Sequence, residues 1–187
     1  GPSPIVRTNT ITYVTIAQLG NGVDFGDMTA LYQNPTGAAS QTRLVMGTGE
    51  APSGSYNTLE YVTFATTGNA QDFGTTAVTA SYRNACGNAV RGVVTAGYTP
   101  STVNTIEFFT IATLGDATDF GDLTSTRGGT TAMSSPTRGV FAGGRTPSIV
   151  DTIDFVSIMT TGNAVAFGDL LDNIGNCGAV SNGHGGL

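Results

Sequence analysis

The amino-acid sequence predicts an all-β fold, a β-propeller of about four four-stranded blades, from three observations. A segment of similar sequence occurs four times, at an interval of 47 or 48 residues. Its apolar residues alternate so that both faces of an extended strand are apolar. Turn residues divide each unit into four short runs of strand length. We therefore expect a single repeat domain over residues 1–187.

The repeat is clearest in the first half of each unit, which reads N-T-I-x-[YF]-[VF]-[TS]-[IF] or a close variant. The four copies start at Asn9, Asn57, Asn104 and Asp151. The second halves also match, as in VRGVVTAG from Val90 and TRGVFAGG from Thr137. Self-similarity at this period is typical of propellers and other repeat arrays.

The first strand of each unit is apolar on both sides. In the third copy, Ile106 and Phe108 fall on one face of the strand, and Phe109 and Ile111 fall on the other. A half-solvated strand would be apolar on one side only, so this pattern predicts a strand between two neighbouring sheets. No apolar stripe with a period of 3.6 residues runs through the sequence, and we expect almost no helix.

The third strand of each unit consists of small residues. These runs begin at Gly37, Ala85, Thr131 and Cys177. Where sheets converge on a common axis, large side chains would collide. We therefore place this strand innermost in each blade.

The two ends of the sequence are complementary in the register of the repeat. Residues 3–6 match residues 147–150, and residues 186–187 match residues 139–140. A blade shared between the two termini would close the ring by strand pairing within one chain, and we favour this topology. The alternative is that the same ends pair between molecules, as a larger ring or a filament.

This order of strands resembles the kelch repeat over essentially the whole chain. Gly143 and Gly144 match the double glycine that ends the second strand in that family, and Ala96-Gly97 and Thr48-Gly49 stand there in earlier copies. The chain contains no tryptophan. At the place of the family's tryptophan between blades stand Phe25, Phe73, Phe120 and Phe167. The resemblance implies kelch-like blades that form a propeller.

The recurring segment N-T-I-x-[YF]-[VF]-T-I-A-T-x-G-[ND]-A-x-D-F-G-D-L is also similar to kelch-like repeat proteins encoded by marine phages. Those proteins are associated with virions or tails. The resemblance implies a structural or host-surface-binding role, with a virion or extracellular location.

Composition excludes several classes of function. The net charge is −6 at pH 7, which disfavours nucleic acid and anionic membranes as partners. All seven basic residues are Arg, which removes lysine chemistry, and the single histidine, His184, cannot form a multi-histidine site. No apolar run approaches 18 residues, so we expect no membrane insertion. We expect a protein that is not an enzyme and holds no cofactor.

Two loops are the best candidates for binding. They read Tyr98-Thr99-Pro100-Ser101 and Arg145-Thr146-Pro147-Ser148, and they fall at the same edge of successive blades. A rigid scaffold presents contacts at such edges, although a plain Pro-Ser turn would read the same way. An aromatic residue beside polar residues suits a protein or glycan surface. The alternative function is a multivalent carbohydrate-binding lectin with one weak site per blade.

The remaining polar residues are assigned structural roles. Aspartates of the G-N-x-x-D-F-G-D turn could hold Ca²⁺, but such residues more often cap their own turn, so we expect no metal. Arg43, Arg91 and Arg138 recur at one repeat position and are expected to pair with these aspartates between blades. Cys86 and Cys177 fall at different repeat positions, and we expect both to be unpaired and buried.

Overall fold

A computed structural model of the chain describes residues 7–95 and 97–181. All regular secondary structure in these residues is β-strand, which confirms the predicted all-β class. The strands are β1 Thr8–Tyr13, β2 Val23–Tyr32, β3 Thr36–Ala39, β4 Arg43–Ala51, β5 Gly54–Thr63, β6 Gln71–Thr75, β7 Ala85–Gly87, β8 Arg91–Val94, β9 Tyr98–Thr99, β10 Ser101–Thr102, β11 Thr105–Thr110, β12 Thr118–Asp122, β13 Thr131–Ser134, β14 Arg138–Ala142, β15 Arg145–Thr146, β16 Ser148–Ile149, β17 Thr152–Ser157 and β18 Val165–Asp169. No helix capable of crossing a bilayer occurs in the part of the chain so described.

Twelve of these strands form three antiparallel sheets of four strands each. The first sheet has the order β3-β4-β5-β6, the second β7-β8-β11-β12 and the third β13-β14-β17-β18. Each sheet joins the second half of one sequence unit to the first half of the next, as the predicted strand order requires. The hairpin β1-β2 precedes the first sheet and has the same pairing as the outer two strands of a sheet.

The sheets pack on one another in chain order through three apolar clusters. The cluster between the first and second sheets contains Phe73, Phe109 and Ile111, and the cluster between the second and third contains Ile106 and Phe120. The third cluster lies between the hairpin β1-β2 and the first sheet. Strand β11 therefore contributes to a core on each side, which confirms that both of its faces are apolar contact surfaces.

A β-bulge recurs in the outer strand pair of every sheet. In the second sheet Ile106 pairs with Gly121 and Glu107 pairs with Asp119, so Phe120 is the additional residue of β12. Gly121 has a φ of 142°, a conformation that L side chains rarely adopt. The repeated D-F-G sequence is thus explained by local geometry, because the glycine permits the bulge that directs the phenylalanine toward the neighbouring sheet.

The small-residue strands β3, β7 and β13 lie together at the centre of the fold. With residues 179–181 they line an open cavity of about 260 Å³. Ser134 of β13 donates a hydrogen bond to the Gly87 carbonyl, and its amide donates to Ser181 Oγ. These short contacts require small side chains, which agrees with the predicted innermost position of this strand.

A ring closed by the termini is not among the strand pairings of the residues described. The hairpin β1-β2 stands as a separate two-stranded sheet, and no residue of β18 is covered. Residues 1–6 and 182–187, on which the predicted shared blade partly depends, lie outside the described residues.

Candidate functional site

The predicted binding residues occupy two hairpin tips that project from successive sheets. Strands β9 and β10 form the first tip, and β15 and β16 form the second. Each tip is fixed to the preceding loop by a pair of backbone hydrogen bonds. Tyr98 and Ser81 exchange bonds of 2.8 and 3.0 Å, and Arg145 and Gly128 exchange bonds of 2.8 and 3.1 Å. The tips are therefore held by the scaffold at defined positions.

An open groove of about 490 Å³ runs between the two tips. It is lined by Tyr82, Tyr98, Thr102, Gly128, Gly129, Arg145, Pro147 and Asn176. Three of the predicted binding residues, Tyr98, Arg145 and Pro147, share this groove. Thr99, Pro100 and Thr146 lie on the same tips but not in the groove lining.

The groove presents aromatic faces beside a cation. Tyr82 and Tyr98 both have exposed rings, and the Arg145 guanidinium is exposed, with its Nε donating to the Pro147 carbonyl at 3.2 Å. The eight lining residues include no carboxylate, thiol or imidazole group. This chemistry suits stacking on a flat apolar face with hydrogen bonding at its edge.

Tyr82 and Asn176 were not singled out from the sequence, although a signal for them exists. Tyr82 and Asn176 have φ values of 55° and 56°, Gly129 has 65°, and Asn34 has 55°. The four residues stand at one repeat position, where Asn and Gly favour positive φ. Asn176 N–H donates to the Gly129 carbonyl and Gly129 N–H to the Tyr82 carbonyl, at 2.9 and 2.8 Å. These bonds link the loops that form one wall of the groove.

A buried ion pair supports the loop that carries Tyr82. Arg83 Nη2 donates to Glu107 Oε2 at 2.7 Å, and its Nε donates to the Thr95 carbonyl at 2.7 Å. Both side chains are shielded from solvent. Burial lowers the pKa of Arg83, and the Glu107 carboxylate opposes that shift. The anchored Arg83 therefore restricts its neighbour Tyr82.

The same arrangement recurs one repeat later. Arg127 Nη2 lies 2.8 Å from Asp154 Oδ2, and both side chains are buried. The Thr124 amide and hydroxyl also donate to this carboxylate. Burial lowers the pKa of Arg127, and the charge of Asp154 acts in the opposite direction. These pairs were not predicted, because Arg83 and Arg127 stand at different repeat positions in loops of equal length.

The predicted partners of the recurring arginines are wrong for the two internal sheets. The Arg43 guanidinium stacks on Tyr61 and donates to the Ile111 carbonyl at 3.0 Å. Arg91 stacks on Phe108 and donates to the Ile158 carbonyl at 2.9 Å. Each arginine thus donates to a backbone carbonyl of the following sheet and not to one of the recurring aspartates.

The turn residues also act between sheets and not within their own turn. Asn69 Oδ1, Asp116 Oδ1 and Asn163 Oδ1 accept hydrogen bonds from backbone amides of the preceding unit. Their repetition reflects the packing of one unit against the next. Within the described residues no three His, Cys, Asp or Glu side chains are grouped to hold a metal ion. His184 lies outside those residues.

The two cysteines differ in burial. Cys86 is buried and Cys177 is half-buried, and both are unpaired. The expectation of two buried thiols is therefore wrong for Cys177, which lies in the loop after the third sheet. Burial raises the pKa of the Cys86 thiol to about 12.

No protein-family model matches the chain, and no curated protein matches it either.

Proposed function

We propose that this protein is a non-enzymatic structural or adhesive module of the β-propeller type, carried on a virion or another extracellular surface. It contacts a protein or glycan surface through the hairpin tips and the groove between them. One observation carries this proposal: exposed aromatic rings and a guanidinium share one groove on a scaffold fixed by buried ion pairs. A preorganised surface of this kind loses little freedom on binding.

We interpret the three four-stranded sheets as blades of a propeller. Consecutive sheets pack face to face, and their small-residue strands line a common cavity, as blades around an axis would. The kelch-like order of strands supports the same interpretation. Closure of the ring by the two termini, or by another copy, belongs to the proposal.

A binding role is favoured over catalysis by the chemistry of the groove. The lining offers stacking surfaces, hydroxyls, an amide and one guanidinium. General acid–base or nucleophilic catalysis needs a titratable pair within reach of the reacting atoms. The lining residues provide hydrogen-bond donors and flat apolar faces, which are the groups of a recognition surface.

A carbohydrate-binding lectin is the second candidate. The observation that favours it is the proximity of Tyr82 and Tyr98 to Thr102, Arg145 and Asn176 around one groove. Sugar rings stack on phenol faces and present hydroxyls to such polar groups. The hairpin β4-β5 has Glu50 at the repeat position of Tyr98 and Arg145, so sites on different blades would differ in affinity.

A paired screen tests the proposal. The chain is applied to a glycan microarray and to a displayed library of short peptides. Peptide binding supports contact with protein, and glycan binding supports the lectin. In either case Tyr98→Ala and Arg145→Ala are expected to weaken binding at least tenfold, which corresponds to about 1.4 kcal/mol.

Phe64→Ala is the matched control, because Phe64 is an exposed aromatic residue outside the groove. Its variant should bind like the wild type. Binding that is insensitive to Tyr98→Ala and Arg145→Ala, or no binding in either screen, would contradict the proposed use of the groove.

A further inference from the structure

The two ends of the array carry the two halves of a junction that occurs three times inside the chain. One half is the outer face of the third sheet, where β18 is exposed along its whole length. The other half is the turn of residues 15–22 between β1 and β2, which is also exposed. We call these the sheet end and the turn end. Inside the chain the corresponding surfaces are joined, and their contacts define what each end would bind.

Each internal junction contains the same three hydrogen bonds. At the third junction the Gly162 amide donates to the Phe120 carbonyl at 2.7 Å, and the Ala164 amide donates to the Asp122 carbonyl at 2.8 Å. The Asp122 amide donates to Asn163 Oδ1 at 3.1 Å. The residues that play these parts at the first and second junctions are Gly68, Asn69, Ala70, Phe25 and Asp27, and Gly115, Asp116, Ala117, Phe73 and Thr75.

Both ends retain the groups for these bonds. The turn end has Gly20-Asn21-Gly22 at the place of Gly162-Asn163-Ala164, so it keeps both amides and the side-chain oxygen. The sheet end has Phe167-Gly168-Asp169 at the place of Phe120-Gly121-Asp122. A turn end seated on a sheet end would therefore form the same three hydrogen bonds.

Apolar residues at the two ends are more exposed than their equivalents inside the chain, of which Phe64 at the first junction is itself 46% exposed. Phe120 is 2% exposed inside the third junction, whereas Phe167 is 55% exposed at the sheet end. Ile158 is fully buried at the third junction, whereas Ile16 is 99% exposed at the turn end. Exposed apolar surface whose equivalent is buried elsewhere in the same molecule marks an interaction surface.

The glycine of the bulge provides a notch for the turn. A Cβ at Gly121 would lie 2.5 Å from the carbonyl oxygen of Gly162, so a side chain there would displace the turn. Gly168 occupies the equivalent position at the sheet end, and a Cβ there would have no atom within 4 Å. The sheet end thus has the same notch with no turn seated in it.

The polar groups around the two ends also match. Arg91 donates a hydrogen bond to the Ile158 carbonyl of the next sheet. Its equivalent at the sheet end, Arg138, is exposed and stacks on Phe155. The residue equivalent to Ile158 at the turn end is Ile16, whose carbonyl would take the Arg138 donor.

The buried acid–arginine pair of the third junction has no counterpart at the two ends, where both positions hold uncharged residues. Asp154 stands at the fourth position of its unit and pairs with Arg127 of the preceding loop. At the turn end that position is Thr12, and the loop after the third sheet has Ile174 at the place of Arg127. The joined ends would therefore bury no unpaired charge, which is the condition for a stable contact.

We infer that a second copy of this chain docks head to tail, with its turn end seated on the sheet end of the first copy. Among residues 7–95 and 97–181 the two surfaces are both exposed and do not cover each other, and a second copy presents the matching half to each of them. The contact is heterologous, and two copies joined at both ends would form a ring of about eight blades, the upper limit for common propellers. The inference rests on the proposed stacking of blades and not on the groove.

Sedimentation across the micromolar to millimolar range tests the inference. Wild type is expected to exceed the 19.0 kDa of one chain, with a mass that rises with concentration to a closed assembly. Ile16→Glu and Phe167→Glu should each return the mass to that of one chain, since each places a charge in one half of the contact. Both residues are exposed in the single chain, so its folding should be unaffected. Val90→Glu, at an exposed apolar residue in the turn between β7 and β8, is the control and should assemble like wild type.

Mixing the two single variants distinguishes head-to-tail docking from other modes. Ile16→Glu keeps an intact sheet end and Phe167→Glu an intact turn end, so the mixture is expected to form a pair joined at one contact. A wild-type mass of one chain at every concentration, or a mixture that stays at the mass of one chain, would overturn the inference. Groove binding by a single chain would leave the proposed function standing.

Discussion

The buried carboxylate at the junction between the hairpin β1-β2 and the first sheet has different hydrogen-bond donors from the buried carboxylates at the two junctions that follow. Glu107 and Asp154 each face a buried arginine. Glu60, at the same repeat position, accepts hydrogen bonds from the Thr29 amide and hydroxyl and from the Tyr32 hydroxyl. The unit thus keeps an acid at one place, and the preceding loop supplies either a cation or neutral donors.

This difference separates two ways of holding successive units together. A guanidinium neutralises the acid, so loss of either partner leaves a buried charge unpaired. Neutral donors act singly, so loss of one leaves the others in place. The first junction should therefore tolerate changes that the later junctions do not.

The largest expected effect comes from removal of a cation at the third junction. Arg127→Met leaves Asp154 buried without its charge partner, and we expect a loss of about 3–5 kcal/mol in the free energy of unfolding. Urea unfolding followed by circular dichroism measures it. The double variant Arg127→Met with Asp154→Leu removes both charges and should recover most of the loss. A loss below about 1 kcal/mol for Arg127→Met would show that the pair is not what holds this junction.

A matched pair of substitutions compares the junctions directly. Glu60→Gln keeps the shape of the side chain and weakens acceptance from neutral donors, so we expect a loss of about 1–3 kcal/mol. Glu107→Gln leaves Arg83 buried and unpaired, and should cost about 3–5 kcal/mol. The same unfolding measurement serves both variants. Equal losses would mean that the nature of the donor does not matter at these junctions.

Much of this fold could be predicted because the same pattern of apolar and small residues recurs in every unit. The two-sided apolar pattern of residues such as Phe108 and Phe109 predicted strands between sheets, and the clusters on both sides of β11 confirm it. The small-residue strands were predicted to lie close to one another because their side chains are small, and β3, β7 and β13 line one cavity.

The contacts between units were harder to predict. The acid of the second, third and fourth units is visible in the sequence, but its partner is Tyr32, Arg83 or Arg127, which differ in residue type and do not all share one repeat position. The polar side chains of the G-N-x-x-D-F-G-D turn were expected to cap that turn, and the contact of Asn69 with the preceding unit was missed because a sequence shows local neighbours and not the unit packed against them. The groove is lined by Tyr98 and Arg145, which were predicted, and by Tyr82 and Asn176, which were not. The repeat position with positive φ could have indicated Tyr82 and Asn176.

A smaller effect is expected from the arginines that cap the next sheet. Arg91→Lys retains the charge but loses the flat stacking on Phe108 and the fixed donor to the Ile158 carbonyl, so we expect a loss of about 1 kcal/mol. Arg138→Lys is the matched control, because Arg138 lies at the exposed face of the third sheet. Measured below the concentration at which copies associate, it should lose less. Equal losses would show that the carbonyl contact contributes nothing.

The smallest effect is expected from the Tyr32 hydroxyl. Its loss of a proton at high pH distinguishes the first junction, which has uncharged donors, from the two junctions that have ion pairs. Burial, with a further contribution from Glu60, raises the pKa of Tyr32 from 10.0 to about 12. Below pH 10 the hydroxyl is protonated in both the folded and the unfolded chain, so its contribution to stability is complete. Between pH 10 and 12 the unfolded chain releases this proton while the folded chain keeps it, so stability falls.

Tyr32→Phe should therefore lose less stability than wild type between pH 8 and pH 11, measured by urea unfolding at both values, because Phe has no proton to release. Cys86 contributes a loss in the same direction, since burial raises its thiol pKa from 9.0 to about 12. Cys86→Ala provides the reference for that share. If Tyr32→Phe and wild type lose the same amount, the hydroxyl does not stay protonated against Glu60, and the first junction is not held by neutral donors.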